Sequence, residues 1–433
     1  MGMTMIKTQI KDYLEHIRLF SRNARWYLLA SFFMGFGYSV FGLLLNLYLK
    51  QLGYQEGTIG SILSASSLGT VLIAIPAAIF VDHMKIKRVL LLATSLSSAS
   101  YIMMALSSGV WPLRLLAGYA GAMFTIHWVA TSPFFMRNST PKERSYLYGV
   151  NMALETASGF FGTLIGGMIP QFLLDRGVSL LYGYRYTLIG GVVLALVSLI
   201  FYAMLKSAKP THSGRPKLAQ YFGARDWKTV IKIVTPQFLV GMGAGLVIPF
   251  LNLYFLDRFH LPSDQIGKIF SFGALFTAVG FLAGPVIARR IGLIKTTVVT
   301  QFLSIPFFLI LAFSHNLYLA IFGFLLRGSL MNLAWPLYNN FAMEMVPDDQ
   351  RAGTNSVIQL AWSASWMISA NVGGHIIQNF GFTAVMLITV GLYVLSTSLA
   401  WVFFRRQAMI GRAAAAMVLP AEQITGVIAK EME

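Results

Sequence analysis

Apolar residues gather in this chain into long runs with almost no charge, the clearest at 58–81, 89–113, 233–256, 269–288 and 296–326. The runs are continuous and do not alternate in polarity, so they are read as helices and not as barrel strands. About 20 helical residues cross the roughly 30 Å hydrocarbon core of a bilayer. Divided at their turn signals, the runs predict twelve spans, at 26–49, 58–81, 89–108, 110–136, 145–171, 181–205, 231–256, 265–288, 296–314, 316–345, 353–378 and 382–404. The cut between the last two rests on Asn379-Phe380-Gly381. Composition supports the membrane reading: the chain is 56% hydrophobic and 11% charged, against about 25% charged in soluble domains.

A net charge of +17 over 433 residues raises the question of a nucleic-acid partner, and the distribution of the charge answers it. With twelve spans, the even-numbered connections share a side with both termini, and that side holds 26 of the 33 Lys and Arg. The positive-inside rule then places both termini in the cytoplasm of a cell-membrane protein. The basicity reports topology and contact with anionic membrane lipids, with no nucleic acid implied. The first apolar run is too long for a signal-peptide core and has no small-residue cleavage pattern after it, so it is kept as a span.

The chain also repeats itself. Residues 46–48 read Asn-Leu-Tyr and so do 252–254, and each is followed by an Ile-Gly pair, at 59–60 and 266–267. An offset of 207 further aligns Trp128 with Trp335, Arg144 with Arg351, Leu96-Ser97 with Leu303-Ser304, and Gly166-Gly167 with Gly373-Gly374. Six spans per copy is an even number, so the copies enter the membrane from the same side as parallel repeats. The expected fold class is therefore an all-α integral membrane protein of twelve transmembrane helices in two parallel six-helix pseudo-repeats. The expected divisions are a cytoplasmic N-terminal segment (1–25), a first half (26–205), a linker (206–230), a second half (231–404) and a tail (405–433) to which no function is assigned.

Several motifs sharpen this. The connection after span two, A-A-I-F-V-D-H-M-K-I-K-R, resembles the G-x-L-a-D-r-x-G-r-k loop of the major facilitator superfamily, with Asp82, Lys87 and Arg88 in register and both glycines replaced, by Ala78 and Lys85. Span four carries R-L-L-A-G, similar to the family's R-x-x-q-G, with Arg114 and Gly118. Span five carries Gly149, Ser158, Gly162, Thr163, Gly166 and Gly167, spaced like the family's antiporter pattern, with Ser158 and Thr163 as departures. The resemblance covers roughly residues 26–404. It implies an alternating-access transporter of the drug/proton antiporter-like branch, a gating role for Asp82, Lys87 and Arg88, and export by antiport. Physically, Gly162, Gly166 and Gly167 form a groove for a neighbouring helix, and ordinary close packing accounts for them equally well.

Charges deep in a bilayer are costly, so each one is a functional candidate. Of sixteen acids only Glu155 falls near mid-span, and Trp362 stands opposite it in the repeat. Glu155 is the proton-coupling candidate; the alternative is a fixed ion pair with Arg114 or Arg327. Arg327 also suits an anionic substrate group, and His127 is either a packed hydrogen-bonding residue or a proton relay. Asn46 and Asn252 end spans one and seven on the outer side, as interhelical bonds or substrate contacts. Trp128, Trp335, Trp362 and Trp366 offer either packing or aromatic walls for an amphipathic ligand.

No phosphate-binding loop, H-E-x-x-H motif, membrane carboxylate cluster or cysteine is present, so the reading needs no ATP site, metal or disulfide. No nucleophile and base are grouped as an enzyme would need. The expected function is secondary active transport by a monomer, with no cofactor and the proton gradient as energy source, exporting a small organic or amphipathic compound. The alternatives are a facilitator or importer of a small polar solute, a lipid-handling membrane protein, and a ligand-binding receptor without flux.

Overall fold

The computed structural model describes residues 17–206 and 226–417, so most of the expected linker and tail lie outside the described residues. Its helices are α1 (Arg22–Gln51), α2 (Glu56–His83), α3 (Ile86–Leu106), α4 (Val110–Asn138), α5 (Pro141–Leu174) and α6 (Leu180–Ala203). They continue with α7 (Trp227–Phe259), α8 (Ser263–Ile291), α9 (Leu293–Phe313), α10 (Leu317–Glu344) and the stretch Asp348–Met417. That last stretch breaks at Gly381, whose φ of 76° lies in the region only glycine adopts freely. It is therefore two helices, α11 (348–380) and α12 (382–417), cut where Asn379-Phe380-Gly381 predicts.

Among the described residues, ten helical stretches are long and apolar enough to cross a membrane. The last of them, Gly353–Arg405, contains two spans. The 29-residue α4 is not among the ten, because Arg114, His127 and its Gly, Ser, Thr and Trp residues dilute its hydropathy. This accounting is consistent with twelve spans. Each helix covers its predicted span to within a few residues, usually extending past it, except that α12 continues from the predicted end at 404 to Met417.

Local sequence explains the ends. α5 opens with Thr140-Pro141-Lys142-Glu143, a capping box with proline in the first turn, in which Glu143 Oε1 accepts from the Thr140 amide at 2.9 Å. α10 opens on Asn316, whose side chain accepts from the amides of Tyr318 and Leu319. Prolines at 76, 133, 170, 236, 285, 306 and 336 sit inside helices, as membrane helices tolerate. α7 departs from the continuous helix predicted: it tightens to a 3₁₀ turn at Ile248–Phe250, where Pro249 supplies no amide hydrogen.

The chain forms two compact units that do not coincide with the two sequence halves. The first comprises the described residues of 1–217, 244–275 and 363–385. In it α1 packs on α5 and α6, α2 on α4, and α3 on α4 and α6, around a core that includes Tyr27, Phe134, Phe135 and Tyr202. It also takes in the parts of α7, α8 and α11 that lie toward residues 46–57. The second comprises the described residues of 218–243, 276–362 and 386–433. There α9 packs on α10, and Ile233, Ile294, Val298, Tyr338, Phe341 and Phe404 share a core. Large apolar side chains face outward, among them Trp111, Leu115, Leu282 and Tyr318 at 72%, 73%, 77% and 81% exposure, as a surface solvated by lipid requires.

Candidate functional site

Glu155 lies on α5 within the first unit, partly buried, and accepts a 2.7 Å hydrogen bond from Asn151 Nδ2 one turn earlier. The ion pairs among the described residues are Lys50–Glu56, Lys50–Asp257 and Lys268–Asp264, and none involves Glu155. Its charge is within electrostatic reach of the Tyr27 and Tyr202 phenols. Tyr202 on α6 bonds His127 Nε2 on α4 at 2.8 Å, leaving His127 Nδ1 buried without a partner. Tyr27 on α1 bonds Thr131 Oγ1 at 2.6 Å and stacks on Phe134, with ring centroids 4.7 Å apart. Four helices thus bring a carboxyl, an imidazole and two phenols to one region of the first unit.

Neither arginine weighed as a structural partner serves Glu155. Arg114 donates from Nε to Ser61 Oγ on α2 at 2.9 Å and lies 5.0 Å from the centre of the Trp111 ring. Arg327, in the second unit, is 6% exposed and donates from Nη2 to the Tyr393 hydroxyl of α12 at 2.5 Å. Its guanidinium also lies 5.1 Å from the centre of the Phe308 ring of α9. It is therefore enclosed among α9, α10 and α12.

Asn46 and Asn252, both 3% exposed, meet inside the first unit. Asn46 Nδ2 donates to the Pro249 carbonyl at 2.5 Å and to Asn252 Oδ1 at 3.3 Å, while Asn252 Nδ2 donates to the Leu43 carbonyl at 2.7 Å. Each asparagine thus reaches the carbonyl three residues before the other, which is the reciprocity two related copies produce. Asn252 Oδ1 also takes the Leu253 amide at 2.9 Å, within the stretch disturbed by Pro249. Glycines repeat the symmetry. A Cβ added to Gly167 would lie 2.9 Å from the Gly267 Cα, and one added to Gly60 would lie 3.2 Å from the Gly374 Cα. Gly162 and Gly166 face Phe36 and Val40 of α1, so these two serve close helix packing.

The remaining candidates are dispersed. Trp335 and Trp362 form a tilted ring pair 4.5 Å apart in the second unit. Trp366 presents its Cα to Gly245 of α7. Trp128 is 58% exposed and stacks on Phe124 at 6.5 Å. Lys87 Nζ donates to the Ala203 carbonyl at the end of α6, and Arg88 is exposed. Asp82 belongs to α2, and its side chain lies outside the described residues.

One cluster escaped the sequence reading. Lys50 pairs with both Glu56, in a short contact, and Asp257, at 3.3 Å, beside the asparagines. The signal was available, because the 207-residue offset aligns Lys50 with Asp257, opposite charges at equivalent places in two copies.

The sequence model of the Major Facilitator Superfamily matches residues 27–370 and 233–417. A multidrug resistance protein MdtG from Dickeya zeae is 24% identical over 404 residues, covering 88% of this chain and 93% of that one. The MdtG of Proteus mirabilis is 22% identical over 390 residues, covering 86% and 94%. Among solved structures, a mutant of the nucleoside transporter NupG superposes with a TM-score of 0.77 at 13% identity, over 88% of this chain and all of that one. Chain-long family match, helical architecture and shared fold together establish that this chain belongs to the major facilitator superfamily, as a multi-pass membrane transporter and not an enzyme.

Proposed function

We propose that this transporter exports a small organic, amphipathic compound in exchange for protons, with Glu155 as the coupling group. The observation that carries the reading is a carboxyl set within a membrane helix whose one side-chain partner among the described residues is the Asn151 amide and which no described cation pairs with. An unpaired carboxyl in the membrane interior is costly while ionised, so it binds a proton in dry surroundings and releases it in wet ones. Alternating access supplies both surroundings in turn. The names of the two curated relatives support a drug-like substrate. The charge distribution supports cytoplasmic termini in the cell membrane, and the repeat supports rocking of 26–205 against 231–404 in a monomer.

The test is proton movement in inverted membrane vesicles held at a set pH gradient, as cationic, neutral and anionic amphiphiles are added. A substrate should release protons through the wild type, and Glu155→Gln should abolish that release at unchanged expression. Equal substrate flux in both proteins, independent of the gradient, would replace antiport by facilitated diffusion and make Glu155 a packing residue.

A further inference from the structure

At the end of the first unit where α1 begins, a shallow cleft with an enclosed volume of about 20 Å³, room for about one water, opens between the start of α3, the end of α4 and the end of α6. Lys87, Arg137 and Lys206 line it together with Ile86, Phe134, Asn138 and Leu205, so its described lining holds three cations and no carboxylate. The surrounding backbone is already satisfied by other groups. Ser21 Oγ donates to the Asn138 carbonyl at 2.8 Å, Asn23 Nδ2 donates to the Lys206 carbonyl at 3.2 Å, and Asn23 Oδ1 accepts the Lys206 amide at 3.0 Å. Lys87 closes the end of α6 through the Ala203 carbonyl. Among the described residues neither the Arg137 guanidinium nor the Lys206 ammonium forms an ion pair, and Arg137 stands in the last turn of α4. Lys85 and Arg88, exposed beside Lys87, add to the positive field, and the N-terminus of the 21-residue α3 offsets part of the negative ends of α4 and α6.

We propose that this cleft is the headgroup site of an anionic phospholipid, with the phosphodiester between Arg137, Lys206 and Lys87. The inference rests on reading this end of the bundle as the cytoplasmic membrane border, where basic pockets between spans meet the anionic leaflet. An apolar path leads away from the cleft for the acyl chains. Leu92 and Leu96 stand one turn apart on α3, and Ile200 and Met204 one turn apart on α6; all four are exposed, and the two helices pack together. The occupant is a lipid and not a soluble anion because the cleft lies at the membrane border, where anionic headgroups are concentrated beside the exposed apolar helix faces.

The purified full chain in detergent is titrated with phosphatidylglycerol or with phosphatidylcholine of the same acyl chains, and bound lipid is counted by native mass spectrometry. Phosphatidylglycerol should bind roughly a hundredfold more tightly, three cations contributing about 1 kcal/mol each. At about 1 kcal/mol for each cation near an anionic surface, Arg137→Gln should weaken it roughly fivefold, and the triple variant Lys87→Gln/Arg137→Gln/Lys206→Gln roughly a hundredfold, with phosphatidylcholine unaffected. Arg289→Gln/Arg290→Gln/Lys295→Gln, basic residues of the second half, should change nothing. Equal affinity for the two lipids, equal losses in both triple variants, or equal binding of free glycerol phosphate would each overturn the proposal. Should the triple variant fail to fold, Arg137→Gln decides alone. The readout uses no gradient and no substrate, so it stands or falls separately from coupling at Glu155.

Discussion

Replacing Asn252 by alanine tests the reciprocal asparagine network. The side chain donates to the Leu43 carbonyl at 2.7 Å and accepts from the Leu253 amide at 2.9 Å and Asn46 Nδ2 at 3.3 Å, all in a buried setting. Asn46 keeps its bond to the Pro249 carbonyl, and the Leu43 carbonyl keeps its own helix, so the unrelieved loss is the Leu253 amide and one weak contact. An unsatisfied buried donor costs about 1–3 kcal/mol. Interhelical side-chain bonds in membranes average about 0.6 and reach about 1.7 kcal/mol. The expected cost to the arrangement joining residues 43–46 to 249–252 is therefore about 1–2 kcal/mol, which raises the population of any arrangement lacking it by roughly 5- to 30-fold. The chain has no cysteine, so Ser263→Cys places one thiol at a site that is 1% exposed and bonded to the Gly167 carbonyl in the same unit. Maleimide labelling of that thiol should speed up by the same factor in Asn252→Ala. A double-mutant cycle with Asn46→Ala should give coupling of at least about 0.5 kcal/mol. Unchanged labelling, or strict additivity, would refute the reasoning.

Three further outcomes follow from the same geometry. Tyr393→Phe should lower the detergent-solubilised protein's stability by about 1.5–3 kcal/mol, since it strips the hydrogen bond from a buried guanidinium, whereas Arg327→Leu should cost less because charge and desolvation leave together; thermal melts compare the two, and a shared rise in KM would indicate substrate contact instead. Gly167→Ala puts a Cβ 2.5 Å from the Ser263 carbonyl oxygen, so it should destabilise the packed end by about 1–3 kcal/mol and slow transport, whereas alanine at Gly190, which has no atom within 4 Å, should be silent in both readouts. Asp226 accepts from the Thr229 hydroxyl and from the amides of Thr229 and Lys228, and these bonds hold its carboxyl below the usual range. A depressed carboxyl stabilises above its unfolded pKa of about 3.9 and loses that contribution as pH falls through the folded value, so Thr229→Val should lower the melting temperature by a constant amount from pH 7 to 5 and flatten the acid limb below about pH 4, where the two proteins converge.

The repeat was legible because its markers are rare letters at one offset, Trp128 with Trp335 and Gly166-Gly167 with Gly373-Gly374. Glu155 was legible because a lone carboxyl within an apolar run needs no partner to be noticed. The lysine–carboxylate cluster was missed although its offset was visible, because surface charges near span ends are common and nothing local separates a paired one from a solvated one. The arginines weighed as partners of Glu155 illustrate the same point. Arg114 and Arg327 have the right sign, but α2 and α12 present Ser61 and Tyr393 to them first.

By itself the sequence determined which stretches are long and apolar enough to cross a membrane, and that two copies of one unit are present. Those properties follow from local rules, since hydrocarbon forces each crossing segment to satisfy its own backbone within about twenty residues. Only the tertiary structure decided the rest: that Asn46 reaches Pro249 while Asn252 reaches Leu43, that Arg327 is shut among aromatic rings, that Glu155 pairs with no cation among the described residues, and that the compact units cut across the two halves. A side chain's partner is set by which helices meet and at what rotation, and that depends on small residues such as Gly167 and Gly267, whose hydropathy says nothing of where they pack.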